Sequence, residues 1–440
     1  MEEIDSNETV YSKRKNITKL KVPALREYSK VVGKEKIHKL KELAKDLNGI
    51  KILEVNSTAF GGGVAEMLKS SVPFLNEIGI EDDWKVMKGT DEFFTVTKSI
   101  HNLLQGKKQD FTKNMEDIYV ACTEANVKKN IIDEHYDVIT VHDPQPLGLA
   151  SYLKKEKEKW LWRCHIDLDI DVFLKNENLE KLITKWASYY DSAIFSNVQY
   201  VVSSWNLSKF IIPPYIDPLS EKNKELKQEY IDEIINKYNI QKDKPIILQV
   251  SRFDKWKDPV GLISIYKNVK KMEDCQLVLI GSMANDDPES ILVLEDVKQK
   301  IKHTKDVHIL LNLPDIEVNA IQRAATVVVQ NSIKEGFGLT VTEALWKEKA
   351  VVGRPVGGLT LQIIPNKNGF LLYDVEKRIE TIVMLLRNPE KREIIGKRAK
   401  KFVKQRFLMP GRAYDYLLAV ETMEFLPKES IVSFHPWYEL

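Results

Sequence analysis

The chain predicts an α/β protein built from two doubly wound parallel-sheet domains, and three observations predict it. Short apolar runs alternate with amphipathic helical segments, as parallel βαβ units require. The alternation stops at about Pro213 to Lys244 and then restarts. The length of 440 residues is also too great for one core and suits two or three domains.

The first series of strands is marked by Ile52 to Val55, Val138 to Val141 and Leu161 to Cys164. The second comprises Ile246 to Val250, Leu277 to Ile280, His308 to Leu311, Val327 to Val329 and Val351 to Val352. Between them, IIPPYIDPLSEKN followed by a strongly charged stretch reads as a linker and a solvated helix. The expected domains are therefore 1–217 and 218–410, with a C-terminal helical segment in 411–440 completing the first. The first 20 residues read as frayed or draped, and Phe434, Trp437 and Tyr438 form an aromatic cluster expected to pack against a domain.

The 66 basic and 64 acidic residues leave a formal charge of +2, which gives no whole-molecule field for nucleic acid or an anionic membrane. No signal-peptide pattern opens the chain and no long apolar run follows, so a cytoplasmic location is expected. Cys122, Cys164 and Cys275 are too scattered for a disulfide framework or a zinc cluster and read as buried thiols. Abundant Lys, Glu and Ile agree with a thermophilic source and equally with a genome's base composition.

Several motifs close strands with groups that carry chemistry. After KILEVN, the run STAFGGG sets Gly61, Gly62 and Gly63 where strand becomes helix, a place for a phosphate or simply a tight turn. QVSRFDKWKD sets Arg252 and Lys257 just past a strand, where cations face a crevice ligand or are merely solvated. NSIKEGFGLTVTEALW carries Glu335 and Glu343 around Gly336 and Gly338, a pattern for holding sugar hydroxyls or for capping a helix. VHDPQPLG and WRCHIDLDID place His142, Asp143, Arg163 and His165 at strand ends, as crevice residues or as structural ones. The DLDID run can be read as a metal-holding DxD, but a turn or helix cap explains it equally, and no metal site is expected.

Taken together, the Arg252/Lys257 pair and EGFGLTVTE resemble the retaining nucleotide-sugar glycosyltransferases of family four. The segments NSTAFGGGVAEML, DEFFTVTKSIHNLLQG, VHDPQPLGL, WRCHIDLD and GRPVGGLTLQI look like the trehalose glycosyltransferring synthase branch of that family, over about residues 25 to 410. The resemblance implies the GT-B fold, two Rossmann-like domains facing across a cleft and hinged near Pro213 to Asp217. It implies glucose transfer from ADP-glucose or UDP-glucose to glucose, reversibly and with retention, forming trehalose.

It also implies roles. Arg252 and Lys257 would grip the donor diphosphate, Glu335, Gly336, Phe337, Gly338 and Leu339 the donor glucose, and Glu343 the ribose. Gly62 and Gly63 would lie under the diphosphate, His165 beside the reacting sugar, and Glu66, Asp143, His142 and Arg163 around the acceptor. No cofactor is required on this reading, with Mg2+ left open as a stimulator and a homodimer left open as the assembly. The rival expectations are trehalose phosphorylase, another retaining glucosyltransferase, or a non-catalytic nucleotide or sugar sensor.

Overall fold

The computed structural model describes residues 8–60, 62–281 and 288–434, and divides the chain into two compact units. The first combines Met1–Pro214 with Met409–Leu440, and the second is Tyr215–Leu408. The divisions thus fall at Pro214 and Leu408, rather than after Asp217 and residue 410.

The first unit is an eight-stranded sheet formed by β1 (Glu8–Tyr11), β2 (Lys51–Asn56), β3 (Glu81–Val86), β4 (Val138–His142), β5 (Lys159–Cys164), β6 (Ser192–Phe195), β7 (Ser208–Ile211) and the late strand β14 (Ile431–Ser433). Its order is β1-β3-β2-β4-β5-β6-β7-β14, parallel except for β1, which runs antiparallel to β3. The main core is built from one face of the sheet, where Leu53, Val55, Ile139, Val141, Trp160 and Trp162 meet the helices.

Two features of this unit depart from the sequence reading. Residues 8–11 are an edge strand rather than draped chain, with Ser12 and Ile17 bridged just beyond it. The charged segment EDDWKV forms β3, because partners far along the chain take up the charges of Asp83 and Lys85. Asp83 accepts from Arg14 at 2.5 Å and from the Tyr136 hydroxyl at 2.9 Å, while the Lys85 ammonium donates to the Ile131 carbonyl and to Asp133. At the other edge, β14 pairs in parallel with β7 and Phe434 stacks on Phe210, with centroids 5.9 Å apart. Trp437 and Tyr438 lie outside the described residues.

The second unit is a six-stranded, wholly parallel sheet. Its strands are β8 (Ile246–Val250), β9 (Gln276–Gly281), β10 (Val307–Leu311), β11 (Val327–Gln330), β12 (Val351–Gly353) and β13 (Phe370–Leu371), in the order β10-β9-β8-β11-β12-β13. Its β-strands are nearly continuous apolar runs, as expected where helices cover both faces of a parallel sheet. The charged helix Gln228–Lys237 is not simply solvated. It buries Ile231, Ile234 and Ile235, and it packs on the helix Asp315–Ala324.

Both sheets reverse direction of growth at one place. In the first unit β3 adds on one side of β2 and β4 on the other, and in the second β9 and β11 flank β8. Such switch points open a crevice at the carboxyl ends of the strands, and the motifs singled out above follow β2, β4, β8 and β11.

Candidate active site

In the second unit the loops after β8 and β11 are joined by an ion pair. Lys257 Nζ lies 2.6 Å from Glu335 Oε1, and Glu335 Oε2 accepts from Gln330 Nε2 and Ser332 Oγ, each at 2.9 Å. Both side chains are largely buried, so the pair is protected from solvent screening. Lys257 closes a 3-10 turn, Lys255–Lys257, whose start is capped by Asp254. Arg252 is half exposed and reaches Asp254 at 3.4 Å.

The turn is held from behind by residues that the sequence reading did not single out. Asp258, in the left-handed region with φ of 47°, caps the helix Pro259–Val269 and accepts from Arg354 at 2.6 Å and Asn331 Nδ2 at 2.9 Å. Fully buried Arg378 donates in turn to Asn331 Oδ1. This clasp ties the segments after β8, β11 and β12 to one another, which fixes Lys257 relative to Glu335.

The glycines of EGFG are needed for space as well as conformation. Gly338 has φ of +85° at the cap of the helix Leu339–Trp346, and a Cβ there would sit 3.2 Å from Glu335 Cγ. The second glycine loop packs directly on it. The Gly358 amide donates to Gly336 O at 3.0 Å and Glu335 O at 3.2 Å. Phe337 is buried, and its carbonyl accepts from Gln362 Nε2 at 2.5 Å. Leu339 starts the helix, and Glu343 is buried within it, with Oε2 accepting from Gln322 Nε2 at 3.4 Å.

In the first unit, Gly62 has φ of 83° and caps the helix Gly63–Ile78. Gly61 lies outside the described residues, and Glu66 stands half-buried in that helix's first turn. The ends of β4 and β5 bring four expected residues together. Asp143, with φ of 61°, follows β4, and its Oδ1 accepts from the His165 backbone amide at 2.8 Å. His165 Nε2 and His142 Nδ1 are 3.0 Å apart, and His142 Nε2 lies 2.6 Å from Glu54 Oε2. Arg163 is buried at the end of β5.

Burial raises the Asp143 carboxyl to about 7, against the opposing pull of the His165 amide and Arg163. Burial also holds His165 well below the ordinary histidine value, with the charges of Arg163 and His142 acting in the same direction. His165 is therefore a neutral ring at pH 7, an acceptor and donor rather than a cation.

His142, expected at the acceptor, lies between Glu54 and His165. Its ring is buried and both nitrogens are engaged, one by His165 and one by Glu54. Glu54 was missed because a single carboxylate in KILEVN looks like an ordinary interruption of a strand, although a charge inside a buried run is itself a signal. The aspartates of DLDID act locally. Asp169 caps the helix Ile170–Phe173 and Asp167 accepts from Gln105. Among the described residues no group of three or more His, Cys, Asp or Glu is disposed to hold a metal, and no helix is long and apolar enough to cross a membrane.

Comparison with known proteins identifies the family. Residues 54–202 match the family model described as trehalose synthase, N-terminal domain, and residues 230–402 match glycosyl transferases group 1. Trehalose synthase of Pyrococcus horikoshii is 44% identical over 400 residues, covering 89% of this chain and 95% of that protein. Trehalose synthase of Rubrobacter xylanophilus is 38% identical over 400 residues, covering 90% and 95%. Among solved structures, a UDP-forming α,α-trehalose-phosphate synthase from Burkholderia xenovorans in complex with glucose-6-phosphate superposes with a TM-score of 0.69 at 12% identity, covering 85% of this chain and 100% of that one. That likeness concerns the fold, whereas the identities concern descent, and by them the chain belongs to the trehalose synthase family of GT-B glycosyltransferases.

Proposed function

We propose that this enzyme transfers glucose from a nucleoside diphosphate glucose, ADP-glucose or UDP-glucose, to glucose, forming trehalose with the donor's anomeric configuration retained, and that it also runs in reverse. The observation that carries the reading is the buried Lys257–Glu335 pair set against the glycine turn at a switch point. On this reading Lys257 and Arg252 take the diphosphate, and Glu335 with the amides of Gly336, Phe337, Gly338 and Leu339 orients the glucose. Glu343 takes the ribose, and Gly62 and Gly63 approach the diphosphate. His165, Asp143, Arg163 and Glu66 serve the sugars.

The chemistry follows from charge. As the bond from glucose C1 to the diphosphate oxygen breaks, negative charge grows on the leaving phosphate and an oxocarbenium-like sugar develops. Preorganised cations at the phosphate are then worth several kcal/mol, about 10²- to 10³-fold in rate for one donor. Glu335 is a poor nucleophile because both of its oxygens are already engaged, by Lys257 on one side and by Gln330 and Ser332 on the other. The acceptor hydroxyl therefore attacks from the leaving-group side, its oxygen bonding to C1 while its proton passes to the departing phosphate oxygen. The chain's own residues bind, orient and stabilise charge, and no step requires a metal.

Product analysis tests this. Pure protein with ADP-glucose or UDP-glucose and free glucose should yield a non-reducing α,α-disaccharide, and trehalose with nucleoside diphosphate should yield nucleotide-glucose. Cleavage of trehalose only with inorganic phosphate would instead establish a phosphorylase, and ligand binding without turnover a sensor.

A further inference from the structure

The strand register of the first unit builds a hydrogen-bonded line that ends at His165. In β2, Leu53 and Val55 enter the apolar core, so Glu54 between them points to the other face of the sheet. Glu54 pairs across the ladder with Thr140, and His142, two residues on, shares its face. The result is Glu54 Oε2, 2.6 Å, His142 Nε2, then His142 Nδ1, 3.0 Å, His165 Nε2. The two imidazoles are nearly coplanar, with 9° between their planes and centroids 5.3 Å apart, so the N···N contact is an in-plane hydrogen bond rather than a ring stack.

With one proton on each ring, a line of this kind has two registers. If Glu54 accepts, His142 carries its proton on Nε2 and accepts on Nδ1, and His165 carries its proton on Nε2. If Glu54 donates, every proton shifts to the opposite nitrogen. The neighbours favour the first. The Tyr416 hydroxyl, 2.7 Å from Thr140 Oγ1, also bonds Glu54, and burial followed by the Glu54 charge keeps that phenol protonated. Asp82 is fully buried on the same face, and burial followed by Glu54 holds its carboxyl well above the ordinary value. With the Tyr416 hydroxyl donating to it, Glu54 serves as the acceptor at the head of the line.

We propose that Glu54 and His142 are positioning residues that lock His165 in the Nε2–H tautomer, so that its Nδ1 presents a lone pair to accept a hydrogen bond from a sugar hydroxyl. The catalytic consequence rests on the glucosyl-transfer reading, in which His165 stands beside the reacting sugar. The register itself does not. A correctly held tautomer orients the hydroxyl, whereas a mixture of tautomers presents a donor to a donor in part of the molecules.

The experiment is two-bond ¹H–¹⁵N correlation spectroscopy of the full chain labelled at histidine, without sugar or nucleotide, with signals assigned through single His142 and His165 variants. The expected spectrum shows both rings protonated at Nε2, and in Glu54→Gln both shift toward a tautomer average. That variant should lose about ten-fold or more in kcat, with KM for glucose changed less than about two-fold and the melting temperature retained. A merely structural role would lower the melting temperature and leave the nitrogen shifts in place. A wild-type His165 protonated at Nδ1 would overturn the proposal, as would unaltered shifts and kcat in Glu54→Gln. Should that variant fail to fold, the wild-type spectrum still decides the register, and His142→Gln supplies the kinetic comparison. Absence of transfer by wild-type chain would overturn the glucosyl reading and the catalytic consequence with it, separately from the spectrum.

Discussion

Arg252 and Lys257 were paired by their spacing, yet their surroundings make their variants behave differently. Arg252 is half exposed and touches Asp254 at 3.4 Å, so Arg252→Ala should change stability by no more than about 0.5 kcal/mol while lowering kcat about 10²- to 10³-fold. Near-normal turnover would remove Arg252 from the diphosphate. Lys257→Ala strands Glu335 as a buried charge, and a loss of about 3 kcal/mol in urea unfolding should accompany its loss of activity. Asp143 supplies a pH test. Its folded carboxyl titrates at about 7, above its unfolded value, so the folded chain keeps a proton that the unfolded chain releases. Its stabilising contribution is therefore present at acid pH and is lost as pH rises through 7. Asp143→Asn, tolerated at φ of 61° and still able to accept from the His165 amide, should stabilise the protein more at pH 8 than at pH 5. After allowance for screening the difference is on the order of 2 kcal/mol, and melting curves at the two pH values measure it.

Elements in the second unit are packed through glycines whose role is spatial. Gly358 has φ of −65°, which any residue adopts, but a Cβ would collide with Phe337 Cα and lie 2.7 Å from Gly336 O. Gly358→Ala should push the two glycine loops apart, lowering the melting temperature and raising the donor KM, and unchanged values in both would sink the packing argument. Gly396 sits inside the helix Pro389–Arg406, where alanine gains about 1 kcal/mol in propensity. The added carbon would overlap the Glu348 backbone carbonyl, and overpacking costs about 1–3 kcal/mol. Gly396→Ala is thus expected to destabilise despite the better helix former. At the edge of the first unit, Lys15, just past β1, and Lys85 of β3 both pair with Asp133, and acid should release them. Burial would raise the Asp133 carboxyl, but hydrogen bonds from Lys15 and Lys85 outweigh it and hold the group at about 2. That contribution is present above about pH 4 and is lost as pH falls toward 2.

At the scale of the molecule, the last segment belongs to the first unit, although the whole second unit separates them in sequence. The helix Met409–Thr422 buries Met409, Tyr416, Leu417 and Val420, and it packs on the helices Lys34–Asp46 and Gly63–Ile78. Four such side chains are worth on the order of 5–10 kcal/mol, comparable with the net stability of a domain. A chain ended at Leu408 should therefore keep a cooperative transition for residues 215–408 and lose that of the first unit, which scanning calorimetry would resolve. Two intact transitions would mean that the helix is dispensable.

Much of the architecture could be read from local pattern. Eight strands were legible as apolar runs, from Ile52 to Val352, because a buried parallel strand needs little but its own residues. EGFGLTVTE and RFDKWK were legible for a related reason, since a glycine turn and its flanking charges are set by neighbours in sequence. Strand β3 and Glu54 were not, because a buried charge is tolerable only with partners that arrive from elsewhere. Arg14 and Tyr136 serve Asp83, and His142 serves Glu54. The sequence contained the candidate site groups and the succession of the strands along the chain. Which strand lay beside which, and in what register, came only with the folded sheet, and that register set His142 between Glu54 and His165.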